Sequence, residues 1–378
     1  MIKHLTILTV VAAGAVVFFG FVKTASAWKI QPVPVRTEEQ IWKLDSWIKK
    51  LRSHIPEELA ENFSKAQHEH IAHRIFGCEG EDCSRPQPGV QKSAPSAVLD
   101  GVCWNDAPPF TLPEARTGIC PTGEVITIIN YPECWGLLFM DAKRQAEAGR
   151  QYHTAPGTPV LYRSHFGDMQ FLHSMASSEK ELADETKQKI MAWAKLMYGI
   201  ALGEVNRSTS IRKMGLADIE SLFTSGDDTI HTLFVNDKTE ERRGDENLRL
   251  FAMGVLIHMV SDSFTDSHVE RDEPGREECK KVSGKRNPGS IRSFRAYSLQ
   301  DSAAHGKAET DRELSRRIHN LTDVGRNIME YYSRKAPWEE LEAYLDCVYD
   351  LSNPAAPAGP GAKYRRREPG PIFPGGKE

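Results

Sequence analysis

The stretch "LFAMGVLIHMVSDSFTDSH" runs from Leu250 to His268. Its first eight residues are apolar or glycine, and two histidines and two aspartates follow almost at once. An apolar run of that length, entered through the polar "GDENLR", predicts a buried helix over about 245–263. A buried helix needs other helices around it, and the chain supplies them. Apolar residues recur at helical spacing over 37–52, 56–76, 136–152, 178–204, 302–333 and 336–351. Only "EVITIIN", 124–130, has the composition of a strand. The predicted class is all-α, or mainly helical: a single domain over 28–352, with loop insertions at about 107–164 and 269–304. There is no internal repeat. The end, "NPAAPAGPGAKYRRREPGPIFPGGKE", is rich in proline and glycine, and residues 353–378 are predicted to be a disordered tail.

Composition narrows the function classes. The chain has 378 residues, 40% of them hydrophobic and 26% charged, enough for a sizeable core and too apolar for wholesale disorder. Its formal net charge is −4, without a basic block, which argues against reading duplex DNA. The first 27 residues differ from the rest. Lys3 precedes the apolar run "LTILTVVAAGAVVFFGFV", and "TASA" places small residues at Ala25 and Ala27. That is the pattern of a signal peptide over 1–27 cleaved after Ala27, which predicts a secreted or periplasmic protein beginning at Trp28. An uncleaved membrane anchor is the rival reading, because the run approaches spanning length. Seven cysteines lie beyond this segment, five of them between 78 and 134. In an exported chain they are disulfide candidates. Cys78 and Cys83 could close a local bridge, and an odd count leaves at least one thiol outside any bridge within the chain.

The chemistry-bearing residues lie in separate segments. His258 and Asp262 are four apart, so on a helix they project from one face, and His268 follows six residues later. Imidazole nitrogen and carboxylate oxygen form a zinc ligand set. Burying both beside an apolar run is costly unless they are paired or hold a metal. His305 and Glu309 repeat the four-residue spacing in "DSAAHGKAETD", though such pairs are common on solvated faces. "YRSHFGD" contributes His165 and Asp168, "QHEHIAHRIF" contributes His68, His70 and His73, and "GVCWNDAPP" contributes Asp106. Asp168 and His173 are read as local packing residues. His153, His231 and His319 are read as surface or core residues, and Asp266 as a possible orienting partner of His268.

Taken in order, these segments resemble the zinc-dependent phospholipase C and single-strand-specific nuclease superfamily, all-helical phosphodiesterases holding three zinc ions. The resemblance covers roughly residues 60–350. It implies one zinc on Asp106, His165, His258 and Asp262, and a second on His268, His305 and Glu309. A third would lie on Trp28, through its new N-terminus, with His68 and the bridging Asp262. His68 is preferred because His68, Ile71 and Arg74 repeat the family's helical pattern, with His70 and His73 in reserve. Asp100 or Asp141 could replace Asp106. The separation of Trp28 from His68, and both insertions, depart from the family pattern. The implied catalytic carboxylates are Asp262, between the metals, and Asp106, able to accept a proton from water. The implied substrate is a phospholipid or single-stranded nucleic acid, with transient contact to a membrane surface and no stable protein partner. Phospholipase C is favoured over nuclease because the chain is mildly acidic; Trp104, Trp135 and Phe166 could serve either substrate. The alternative from another class is a non-catalytic exported helical protein that binds zinc.

Overall fold

The computed structural model describes residues 67–366, apart from 81–82, 84–85, 87–88, 113–119, 154–157, 224–227, 235–243, 276, 298–299 and 309–310. The expected signal peptide, Trp28, the 37–52 helix, Glu309 and residues 367–378 lie outside the described residues. Among those described there are eleven α-helices. In chain order they are α1 (Gln67–Ile75), α2 (Ser96–Trp104), α3 (Pro132–Glu147), α4 (Val160–Phe166) and α5 (Ala183–Leu202). The short α6 (Ala217–Glu220) and α7 (Ile230–Phe234) precede α8 (Asp245–Asp262), α9 (Ser302–Ala308), α10 (Asp311–Ser333) and α11 (Trp338–Val348). The mainly helical class holds. No helix among the described residues is long and apolar enough to cross a membrane.

Helix α8 is the axis of the fold. Asp245 and Glu246 sit in its first turn, where their charge suits the helix dipole. From Phe251 to Asp262 every residue is buried. Each of Phe251, Met253, Leu256, Ile257 and Met259 contributes about 1.5–3 kcal/mol by leaving water. That burial offsets the cost of an imidazole and a carboxylate in the last two turns. Helices α2 and α5 pack against α8, α1 packs on α2 and α10, and α11 closes on α5. The α2–α8 crossing is set by two glycines. A Cβ on Gly254 would stand 2.1 Å from the Val98 carbonyl oxygen, and one on Gly101 would stand 2.0 Å from that of Phe251. No side chain fits there, so the two backbones touch and their C-terminal ends come together.

The insertions are not featureless loops. Residues 107–153 contain strand β1 (Phe110–Thr111) paired antiparallel with β2 (Val125–Ile126), followed by α3. Only two residues of "EVITIIN" are therefore strand; Thr127 and Asn130 close a side-chain turn immediately after them. This region has its own apolar cluster, in which Phe110, Ile126, Trp135, Phe139, Phe166 and Tyr297 meet. The second insertion adds β3 (Val269–Arg271) with β6 (Ile291–Phe294), and β4 (Glu278–Cys279) with β5 (Val282–Arg286). Disulfides join Cys78 to Cys83, Cys120 to Cys134, and Cys279 to Cys347. Cys103 lies outside these bridges, its thiol 3.4 Å from Glu69 Oε1.

The C-terminal segment departs from expectation. Residues 353–366 are not a disordered tail but an extended strap along the body. Ala183 donates to the Ala356 carbonyl at 2.9 Å, Ala358 to that of Glu181 at 2.8 Å, and Ala296 to that of Gly359 at 3.0 Å. Proline lacks a donor but keeps its carbonyl, and Pro354 accepts from Asp184 at 3.0 Å. Proline and glycine content therefore marked a strap that pairs along one edge.

Candidate metal centre

The close α2–α8 approach builds one side of the centre. His258 donates from Nδ1 to the Val102 carbonyl at 2.7 Å, tying the helices together at the level of the site. Asp106 lies just beyond the end of α2 and Asp262 ends α8, so both carboxylates arrive at one place. Asn105, between Trp104 and Asp106, donates to the Leu172 carbonyl at 2.7 Å and draws in the next segment. Helix α1 supplies His68, whose Nε2 is 3.5 Å from Asp262 Oδ1. The other oxygen, Oδ2, faces His173 Nδ1 at 3.0 Å, His258 Nε2 at 3.1 Å and His268 Nδ1 at 3.6 Å. Asp262 thus lies between imidazoles on both sides. Asp106 Oδ1 stands 3.6 Å from His258 Nε2 and 3.7 Å from His173 Nδ1.

Three overlapping buried groups have ligand atoms close enough to share a cation: His68, Asp106 and His258; Asp106, His165 and His173; and His173, His258 and Asp262. His268 and His305 adjoin them, with their Nε2 atoms 3.0 Å apart. The most exposed of all these residues is His68, at 8%.

The hydrogen bonds at the outer ring nitrogens test whether these residues suit a metal. His258 Nδ1 faces the Val102 carbonyl and His268 Nδ1 faces that of His173, at 2.8 Å. His68 Nδ1 faces Ser261 Oγ at 2.9 Å, and that hydroxyl donates to the His258 carbonyl at 2.8 Å. His165 Nδ1 faces Ser164 Oγ at 2.7 Å, and that hydroxyl donates to the Leu161 carbonyl at 3.2 Å. His305 Nδ1 faces Gln300 Oε1. A carbonyl oxygen, or a hydroxyl whose proton is committed elsewhere, can only accept. In each ring Nδ1 therefore carries the hydrogen, and the neutral ring keeps its lone pair on Nε2. This is the arrangement that orients metal-ligating histidines. Lone pairs on His268 and His305 at 3.0 Å repel unless a cation or proton lies between them. These residues fit a metal.

Electrostatics agree. Burial alone would lower the His258 pKa, but Asp106 and Asp262 outweigh it and raise it to about 9. Without a metal, His258 thus holds a proton where a cation could sit. Burial opposes ionisation of Asp262, yet His258, His268 and His68 hold its carboxyl well below the usual range. Burial brings His173 down to about 4 against the pull of Asp262, and burial together with His173 pushes His165 well down. Without a metal, the centre thus sets an ionised Asp262 and a protonated His258 beside neutral rings at His173 and His165.

Of the expected ligands, His68, Asp106, His165, His258, Asp262, His268 and His305 come together; Trp28 and Glu309 lie outside the described residues. The reserves have other tasks. His70 accepts from Arg74 at 2.7 Å, His73 accepts from the Ala94 backbone at 3.0 Å, and Asp141 pairs with Arg144. Asp168 grips Arg163 through both oxygens. His173, expected to pack locally, faces Asp262 at 3.0 Å within the cluster. It sits in "MQFLHSM", where no spacing to another ligand marks it, and only a 3₁₀ turn over Gln170–His173 brings it in. Ser174 closes that turn in the left-handed region at φ 49°, locked by its hydroxyl on the Met259 carbonyl at 2.6 Å. Asp266 does not orient His268; it pairs with Arg317 at 3.0 Å, and the His173 carbonyl takes that role. Trp104, Trp135 and Phe166 are buried in the two apolar clusters, so none offers an exposed stacking face. In comparisons with known proteins, no family model matches this chain, and neither does any curated protein or solved structure.

Proposed function

We propose that this protein is an exported zinc-dependent phosphodiesterase, phospholipase C-like in its chemistry. The observation that carries the reading is the convergence of Asp106 and Asp262 with oriented imidazoles from segments spread between His68 and His305. Zinc suits a donor set of imidazole and carboxylate. When bound, it supplies Lewis-acid stabilisation of charge developing on a phosphoryl group and lowers the pKa of water. Asp262, between His68 on one oxygen and three imidazoles on the other, holds the set together. Asp106, beside it, would accept a proton from water. The outer hydrogen bonds of the rings keep their Nε2 atoms in register. Three disulfides are compatible with an oxidising, extracellular setting.

The test is metal content by elemental mass spectrometry, run beside hydrolysis of phosphatidylcholine and of single-stranded nucleic acid, for the wild type and Asp262→Asn. Bound zinc and hydrolysis of the lipid, both lost in the variant, are expected. Hydrolysis of nucleic acid alone would move the reading to a nuclease. Zinc without hydrolysis of either substrate would make this a structural metal in a non-catalytic protein, and no metal at all would end the reading.

A further inference from the structure

His305 is held from outside the helical body. Gln300 lies five residues before it, buried, with its amide nitrogen donating to the Ser267 carbonyl at 2.8 Å and to the Pro360 carbonyl at 2.9 Å. Two acceptors at one amide nitrogen settle which way the amide points. Oε1 therefore faces His305 Nδ1, which must carry the hydrogen, and the lone pair is on Nε2, turned toward His268. Ser267 immediately precedes His268, so one amide ties both rings of the facing pair to common supports. The other support is the strap. Asp301 donates to the Tyr364 carbonyl, Gln300 bridges to Arg365, and the His305 backbone donates to the Asp301 carbonyl at 2.9 Å.

We propose that Gln300 is the positioning residue of His305, and that the strap 353–366, through the Pro360 carbonyl, is a working part of the centre; its effect on metal affinity rests on the metal reading proposed above. A segment that looks dispensable by composition would then set the tautomer and aim of a ligand. Gly361, next to Pro360, adopts φ +77°, and a Cβ there would stand 2.8 Å from the Arg295 guanidinium. The Arg295 side chain can move aside, but a β-branched residue is strained at that φ, so valine at 361 shifts the strap where it meets Gln300.

The experiment uses the mature full-length protein with ¹⁵N-labelled histidine. His305 is assigned by its loss in His305→Ala, and each protein is then titrated with zinc. In the metal-free wild type, His305 is expected as the Nδ1–H tautomer. Gln300→Met keeps the shape but removes the acceptor and donors. It is expected to redistribute His305 toward Nε2–H and to weaken zinc binding 10–100-fold at one equivalent, with unchanged far-UV circular dichroism. Gly361→Val is expected to change the His305 signal in the same direction. An unchanged tautomer and unchanged zinc affinity in Gln300→Met overturn the role of Gln300, and an unchanged His305 signal in Gly361→Val overturns that of the strap. If His305 responds as expected while the wild type takes up no zinc, the metal reading fails and the positioning role stands.

Discussion

Asp106, His258 and Asp262 ride on, or directly follow, the two helices packed at a glycine crossing, with His68 on the neighbouring α1. His165, His173, His268 and His305 sit instead on short helices, a 3₁₀ turn and the approach to a strand. The first set is fixed by close contact of backbones, such as the Gly254 site 2.1 Å from the Val98 carbonyl. The second is fixed by hydrogen bonds to carbonyl and hydroxyl oxygens, such as His268 to the His173 carbonyl and His305 to Gln300 Oε1, with Gln300 held in turn by the Ser267 and Pro360 carbonyls. Packing along a helix is cooperative and leaves little freedom at each residue. Hydrogen-bonded scaffolding holds through a few directed contacts, each worth roughly 0.5–1.5 kcal/mol. The helix-borne half should therefore fail as a unit, and the other half one ligand at a time.

Substitution at the crossing is the strongest way to break that contrast. Gly254→Ala forces a methyl group into the Val98 carbonyl and is expected to cost about 3 kcal/mol, near the top of the usual overpacking range. Denaturant unfolding measures it. Stability equal to the wild type would mean that the helices cross with more slack than the glycines imply.

A smaller and more local effect is expected at His173. His173→Ala removes the ring beside Asp262 but leaves the backbone carbonyl that holds His268. It should weaken zinc binding 10–100-fold, measured by competition with a chelating dye, while the rest of the helical body stays folded. Unchanged affinity would return His173 to the packing role its sequence context suggested. The mildest test is Ser174→Ala, which removes the hydroxyl bonded to the Met259 carbonyl and to Tyr349. A loss of about 1 kcal/mol is expected. A larger drop in zinc affinity than in stability would show that the turn serves the ligand more than the fold.

The two halves also differed in how far they could be read in advance. His258 and Asp262 stand four apart on an apolar helix, a period that survives folding unchanged, so their shared face was legible. The long helices α5, α8 and α11 were legible for the same reason, and so was the local Cys78–Cys83 bridge. His173 carried no such period, because a 3₁₀ turn closed by a left-handed serine has no repeating signature. Asp266 offered the more obvious spacing to His268, yet Arg317, far along the chain, claims it. The tryptophans near the ligands suggested stacking platforms, but Trp104 packs at 4.8 Å against Phe234 and Trp135 stacks on Phe139 at 5.2 Å. Large apolar rings next to a buried site are drawn into the core unless something holds them out.

By itself, then, the sequence determined the helical class, the buried axis through Phe251–Asp262 and the shared face of His258 and Asp262, because helical period is a local property; the wider ligand set came only through a resemblance. The tertiary structure alone decided the rest. It placed His173 among the carboxylates, turned each outer imidazole nitrogen toward an acceptor, and laid a proline-rich terminus against Gln300. Those outcomes depend on which distant carbonyl happens to face which ring. Such a pairing is settled only when the whole chain has folded around it.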